Sequence, residues 1–330
     1  MSMNAIKSAQ PINNMYAVSI SNMIINELKR KLNVNAATLG STGKKPDDTY
    51  SGDIDIAVEM ELSKENVDKL KNFLITSFKL NMTDTPEFRE LPGLNILSVG
   101  FHYEYGILRE PMVVQIDFMF TDNLEFSKFI FHSPDYRKNE SNFKGLYRTN
   151  LLVKIVDFIP YDGEDGQGNG AKYDFEGNCT DYWKYTLSFS KGLKRTHKSY
   201  ISPKTGKLLK NPYTVKEDDK IISKNPEDII TFLFGKNVKI KDFNSFESII
   251  KFMFSDRFKY RVQMRDMIMD FINDPRHEEK RSELIKYITT MVMKHFDDDM
   301  AGYSLEALLL IYNKDSYMDI INRVKSEFEK

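Results

Sequence analysis

Cysteine is almost absent from this chain of 330 residues, which contains Cys179 and no other. A single thiol excludes a disulfide framework and a cysteine-rich zinc site. It also fits a reducing compartment, so we expect a cytoplasmic protein. The sequence has no run of 18 apolar residues, and its first residues lack an apolar signal core. Neither a transmembrane helix nor a secretion signal is therefore expected.

Net charge is nearly absent as well, because 47 Lys and Arg oppose 48 Asp and Glu. No global basic field therefore favours nucleic acid, although a local basic patch could still bind it. Hydrophobic residues make up 41% of the chain and include 23 Phe and 17 Tyr. A folded core is expected, and the length predicts about two domains.

Two aspartates stand one residue apart in a short apolar run, Asp53-Ile54-Asp55-Ile56. In an extended strand, residues two apart point to the same face, so both carboxylates project together. Carboxylates held side by side repel each other and favour a cation between them. Oxygen ligands of this kind suit Mg²⁺.

A third carboxylate lies in a second apolar run. Residues 111–120 are rich in β-branched and aromatic side chains, which predicts a strand. Gln115 and Asp117 share one face of it. If this strand lies beside the first, Asp117 comes near Asp53 and Asp55. Three converging carboxylates can hold two divalent ions, the arrangement used for in-line phosphoryl or nucleotidyl displacement.

A Gly-Ser pair, Gly40-Ser41, precedes Asp53 by a loop over residues 42–52. Gly-Ser, a loop of this length, Asp-x-Asp and a third Asp on a later strand together resemble the nucleotidyltransferase superfamily of the DNA polymerase β type. The resemblance covers roughly residues 30–120.

The resemblance implies a role for each matched residue. Asp53 and Asp55 would bind both metal ions, Mg²⁺ or Mn²⁺, and Asp117 would help bind the catalytic ion and activate the incoming hydroxyl. Gly40 and Ser41 would contact the β- and γ-phosphates of a nucleoside triphosphate. Many members carry a basic residue directly after Gly-Ser. This chain has Thr42-Gly43-Lys44-Lys45, so either Lys44 or Lys45 would supply that charge.

Hydrophobic periodicity predicts the surrounding fold. A small mixed β-sheet with helices on one face is expected, followed by a C-terminal α-helical domain, in the α+β class. The predicted elements of the first part are a helix at 13–33, strands at 35–41 and 53–60, a helix at 63–80, and strands at 95–105 and 111–121. The predicted domains are a catalytic domain at 1–160, a loop and basic hairpin region at 161–224, and a helical accessory domain at 225–330, whose last helix is expected at 315–329.

Two basic segments leave alternatives open. Lys144, Arg148 and Lys154 are spaced for one side of a helix at about 142–158, which could hold triphosphate or nucleic acid, or could be a solvated face. Lys194, Arg195 and Lys198 lie in the densest basic run, with aromatic residues nearby. This run could bind single-stranded nucleic acid by charge and stacking, or could be a solvated hairpin. The Gly- and Asp-rich stretch at 159–178 is expected to be a linker or lid loop.

These observations favour a metal-dependent nucleotidyltransferase that moves a nucleoside monophosphate from an NTP onto an acceptor hydroxyl. The basic hairpin slightly favours RNA, including tRNA, as the acceptor. A protein or a small molecule is the alternative acceptor. The alternatives are a non-catalytic binding or structural protein on the same scaffold and a two-metal nuclease.

Overall fold

The computed structural model describes residues 5–78, 87–105, 110–159, 172–295 and 304–312. The chain forms two compact units, residues 1–146 and 147–330. The predicted helix at 315–329 and most of the Gly-rich stretch lie outside the described residues. The division into domains at 1–160, 161–224 and 225–330 stays a prediction.

The first unit is built on a mixed sheet. Its strands are β1 Ile12–Asn13, β2 Ala36–Thr38, β3 Tyr50–Ser51, β4 Asp53–Glu59, β5 Phe88–Leu91, β6 Ile96–Tyr105 and β7 Glu110–Thr121, and its helices are α1 Asn14–Leu32, α2 Lys64–Phe78 and α3 Leu124–Ile130. Five strands form one sheet in the order β2-β4-β7-β6-β5, while β1 and β3 pair separately. Strands β4 and β7 are parallel, and the other pairs are antiparallel. The predicted mixed sheet of the α+β class is confirmed.

One face of this sheet forms the main apolar core. Ile54 and Ile56 of β4 and Ile116 and Phe118 of β7 are fully buried, and they pack with apolar residues of α1 and α2. The strand alternation puts the aspartates on the other face. Asn13 caps the start of helix α1, because its side chain accepts the backbone N–H of Met15, as expected for a helix N-cap.

The opposite face is apolar only at one end. A smaller core there joins Leu39, Ala57, Ile96 and Met119, with Leu124 at the start of α3 packed against it. Helix α3 therefore covers part of this second face. The sequence pattern predicts helices on one face of the sheet only. The aspartates lie next to this apolar end.

The second unit combines an antiparallel sheet with helices. Helix α4 Gly145–Phe158 begins at the unit boundary and is followed by strands β8 Lys172–Tyr173, β9 Cys179–Ser188, β10 Gly192–Ile201 and β11 Leu208–Ser223, then by helices α5 Pro226–Phe234, α6 Phe246–Met253, α7 Arg261–Ile272, α8 Arg281–His295 and α9 Leu305–Tyr312. The strands form one sheet in the order β11-β10-β9-β8. The predicted basic hairpin is thus the β10–β11 part of a larger sheet. Among the described residues, no helix combines the length and the apolar character needed to cross a membrane.

The expectation of one basic face on α4 is wrong. Arg148 is fully buried, and its Nε donates to the carbonyl of Phe243 at 2.6 Å. Burial lowers the pKa of its guanidinium to about 9. Lys144 is exposed, whereas Lys154 pairs with Asp270. Spacing along the helix could not show that the fold buries Arg148 against the Phe243 carbonyl.

Candidate metal centre

Three aspartates converge on two neighbouring strands of the first unit. Asp55 of β4 lies directly beside Asp117 of β7 in the parallel ladder, and Asp53 lies beside Gln115. Asp53, Asp55 and Asp117 each contribute a carboxylate oxygen to a group whose members all lie within 4.8 Å of one another. The strand pairing assumed in the sequence analysis is therefore observed, and it brings the three acids together.

Asp55 carries the clearest electrostatic sign of a cation site. Burial raises the pKa of its carboxyl to about 7, with further contributions from the negative charges of Asp53 and Asp117. Its Oδ1 is buried and has no hydrogen-bond partner. A buried carboxylate oxygen without a partner is costly, and a bound cation would remove that cost.

The oxygen donors of this group fit a divalent cation of the magnesium type. All three side chains are carboxylates, and hard oxygen ligands suit Mg²⁺ or Mn²⁺ better than the softer metals that prefer sulfur or imidazole. Asp117 is fully buried. The identity of the metal stays a prediction.

Lys45 lies close enough to Asp53 for the two charges to interact. Its Nζ is 3.4 Å from both the Tyr50 carbonyl and the Ser51 Oγ. Burial lowers the pKa of Lys45, and the charge of Asp53 opposes that effect. Burial, followed by repulsion from Asp117, raises the pKa of Asp53, and Lys45 counteracts this rise. Lys45 is therefore a basic group electrostatically coupled to the site.

The side chain of Lys44 does not point toward Asp53 but toward the segment after α3. Its Nζ donates to the Ser133 carbonyl at 2.7 Å, and its own carbonyl accepts the backbone N–H of Tyr136 at 2.8 Å. These bonds tie the loop to the segment after α3. The two lysines that the sequence could not distinguish therefore have different surroundings, although their roles in nucleotide binding stay predictions.

Gly40 touches the metal centre directly. Its φ of +63° is strained for a residue with a side chain, and a Cβ at this position would lie 2.6 Å from Oδ2 of Asp55. The carbonyl of Ser41 accepts the backbone N–H of Lys44 at 3.0 Å and closes the turn. The first residue of the Gly-Ser turn thus lies next to the Asp55 carboxylate, and any side chain at this position would clash with it.

Two polar residues beside the aspartates were not assigned a role from the sequence. Gln115 is 2% exposed and donates its amide to Asp117. Ser98 of β6 lies opposite Asp117 in the ladder, is fully buried, and its Oγ has no hydrogen-bond partner. Gln115 could have been found by the shared face with Asp117. Ser98 could not, because its position depends on the register between β6 and β7.

The predicted acceptor-binding residues do not form one patch. Lys194 pairs with Asp219 at 2.7 Å, and Lys198 donates to Thr214 at 2.5 Å. Arg195 lies on the opposite face of β10, where its guanidinium is 4.4 Å from the centre of the Trp183 ring. Alternation along the strand separates Arg195 from the two lysines. Their contact with an acceptor stays a prediction.

No family model matches the chain, and no curated protein matches it. Similar solved structures include polymerase beta of Leishmania infantum in a ternary P/T complex, at 13% identity and a TM-score of 0.38, covering 71% of this chain and 77% of the other. An antigenic nucleotidyltransferase-like protein from Paracoccidioides brasiliensis has 14% identity and a TM-score of 0.28, covering 48% and 73%. Cid1, described with RNA terminal uridylyl transferase activity, has 14% identity and a TM-score of 0.26, covering 42% and 37%.

Proposed function

We propose that the protein is a metal-dependent nucleotidyltransferase. The observation that carries this proposal is the convergence of Asp53, Asp55 and Asp117 within 4.8 Å. Support comes from the partnerless buried Oδ1 of Asp55 and from Gly40, which leaves no side chain between the Gly-Ser turn and that carboxylate. Such a centre concentrates negative charge, which a divalent ion requires and which that ion would neutralise for a bound triphosphate.

In the proposed reaction an acceptor hydroxyl oxygen forms a bond to the α-phosphorus of an NTP. The bond from that phosphorus to the bridging oxygen breaks, pyrophosphate leaves, and the hydroxyl proton passes to the carboxylate of Asp117. Bound divalent ions would neutralise the charge that develops on the attacking and leaving oxygens. Asp53 and Asp55 would hold the ions, and Asp117 would help to hold the catalytic ion and activate the hydroxyl.

The loop residues hold the triphosphate in this proposal. Ser41 brings its backbone N–H group close to phosphate oxygens, as small residues in phosphate-binding loops do. Gly40, whose own N–H donates to the Phe131 carbonyl at 3.3 Å, leaves room for the phosphates to approach. Lys45 supplies the positive charge, since it is the loop lysine coupled to Asp53. Lys44 maintains the loop through Ser133.

RNA is the proposed acceptor class. The support is the basic strand β10, where Lys194 and Lys198 share a face next to aromatic residues. A ring contact between Tyr182 and Tyr200 lies on the same sheet, with centroids 6.0 Å apart. Aromatic rings and basic groups together bind single strands with little sequence preference.

The deciding experiment incubates the protein with each α-labelled NTP, Mg²⁺ or Mn²⁺, and total cellular RNA. We expect label to enter RNA only with a divalent ion, and Asp55→Asn to abolish this transfer. Asp68→Asn is the matched control, because Asp68 is an exposed carboxylate on α2, away from the aspartates.

Each other outcome contradicts the proposal in a distinct way. RNA that shortens without NTP indicates a nuclease. Nucleotide binding with no transfer to RNA, protein or small molecules indicates a binding protein. Near-normal transfer by the Asp55→Asn variant removes Asp55 from the centre.

A further inference from the structure

We propose that the segment of residues 5–10 is part of the metal centre although it supplies no metal ligand: it fixes Gln115, and Gln115 orients Asp117. The proposal rests on the proposed metal-dependent function. It adds a positioning element that lies more than a hundred residues before Asp117 in the sequence.

Gln115 connects the two parts with hydrogen bonds at both ends of its side chain. Its Nε2 lies 3.1 Å from Oδ1 and 3.2 Å from Oδ2 of Asp117. Its Oε1 accepts the backbone N–H of Ile6 at 3.1 Å. Gln115, Asp117 and Ile6 are all at most 2% exposed, so water does not compete for these bonds.

The direction of the amide follows from its bonds to Asp117 and Ile6. An ionised carboxylate only accepts hydrogen bonds and a backbone N–H only donates them. The NH₂ group of Gln115 must therefore face Asp117, and its oxygen must face Ile6. Asp117 alone already favours this direction, because an oxygen turned toward the carboxylate would be repelled. The N–H of Ile6 reinforces it and holds the amide from its other end, so that the side chain cannot swing away from Asp117.

The segment itself is anchored firmly enough to do this. Gln10 donates its backbone N–H to the Val113 carbonyl at 2.8 Å, and Ser8 Oγ donates to Glu87 at 3.2 Å. The side chain of Ile6 lies over Gly100, where a Cβ would be only 3.2 Å from Cγ2 of Ile6.

Gly100 also explains why the segment can lie here. Gly100, Gln115 and Asp53 are neighbours in one row across β6, β7 and β4. Because Gly100 has no side chain, the segment reaches the sheet in the row next to Asp117. Residues 5–10 therefore cover the end of the acidic face that α3 does not cover.

Removal of a residue that orients a metal ligand typically weakens metal binding by about 10–100-fold. We expect that loss for Gln115→Met, which keeps the approximate size and removes the hydrogen bonds to Asp117 and Ile6. The test is a Mn²⁺ titration followed by the electron paramagnetic resonance of the free ion. Val114→Ala is the matched control, since Val114 is buried in the same strand and points to the opposite face.

The expected result is a dissociation constant raised about 10–100-fold for Gln115→Met, with the number of sites unchanged and with Val114→Ala close to the wild type. A general loss of stability would affect both variants. If Gln115→Met does not fold, Ile6→Pro and Ile6→Ala decide: both lose the side chain, but only proline also loses the N–H. Weaker binding by the proline variant than by the alanine variant supports the proposal.

Wild-type affinity in Gln115→Met, or equal affinity of the two Ile6 variants, overturns the proposal. These results are distinguishable from a failure of the proposed function. If the wild-type protein itself does not bind Mn²⁺, the metal centre is contradicted, and this proposal falls with it.

Discussion

The metal-free protein should lose stability as the pH rises, because of Asp55. Burial, with the charges of Asp53 and Asp117, raises the pKa of its carboxyl to about 7, compared with an ordinary value of 3.8. Between these two values the folded protein keeps a proton that the unfolded chain has released. Stability therefore falls as the pH rises through this window and levels off above about 7.

The size of the effect follows from the same two values. One unit of pKa corresponds to 1.36 kcal/mol, so Asp55 costs the folded state about 4 kcal/mol above pH 7. Asp55→Asn removes this titration. Its stability relative to the wild type should rise from near zero at pH 4 to about 4 kcal/mol at pH 8. A divalent ion should reverse the order, because it stabilises the wild type by binding the folded state.

The assay is urea unfolding of both proteins in EDTA at several pH values between 4 and 8, followed by far-UV circular dichroism. Hydrogen exchange of β4 and β7 amides assigns the change to the strands that carry the aspartates. Asp68→Asn should follow the wild type. A constant stability difference between Asp55→Asn and the wild type across this pH range would refute the reasoning.

Three further changes probe the loop and the basic strand. Gly40→Ala should weaken Mn²⁺ binding in a titration, because its Cβ would lie 2.6 Å from Oδ2 of Asp55 and its φ is +63°; unchanged affinity would remove Gly40 from the centre. Lys45→Met should weaken nucleotide binding about tenfold or more in calorimetry, the effect of losing one charged hydrogen bond, and an equal loss in Lys44→Met would contradict the distinction between the two lysines. If RNA is the acceptor, Lys198→Ala should reduce the slope of log affinity against log salt by about 0.7, and an unchanged slope would argue against a phosphate contact there.

The aspartate strands were predictable because their pattern is local. The alternation of apolar and acidic residues over Asp53–Ile56 and around Asp117 specifies both the strand and the face that carries the acids. The observed strand β4 begins at Asp53, and β7 contains Asp117. Periodicity likewise predicted α1 and α2, whose apolar residues face the core.

Contacts between distant segments were not predictable in this way. Lys44 and Lys45 are neighbours in the sequence, and only the folded loop shows that Lys44 donates to Ser133 while Lys45 stays near Asp53. Arg148 fits a basic helix face by spacing, yet it is buried with its Nε on the Phe243 carbonyl. In each case the outcome depends on a partner far along the chain.

The sequence by itself determined which residues can carry chemistry: the acids are on one face of their strands because side chains alternate with a period of two. Tertiary structure decided what surrounds them. The parallel pairing of β4 with β7 brings Asp117 to Asp55, and the position of Ile6 above Gly100 puts a backbone N–H on Gln115. Strand register and segment docking depend on packing across the whole unit, so no local pattern encodes them.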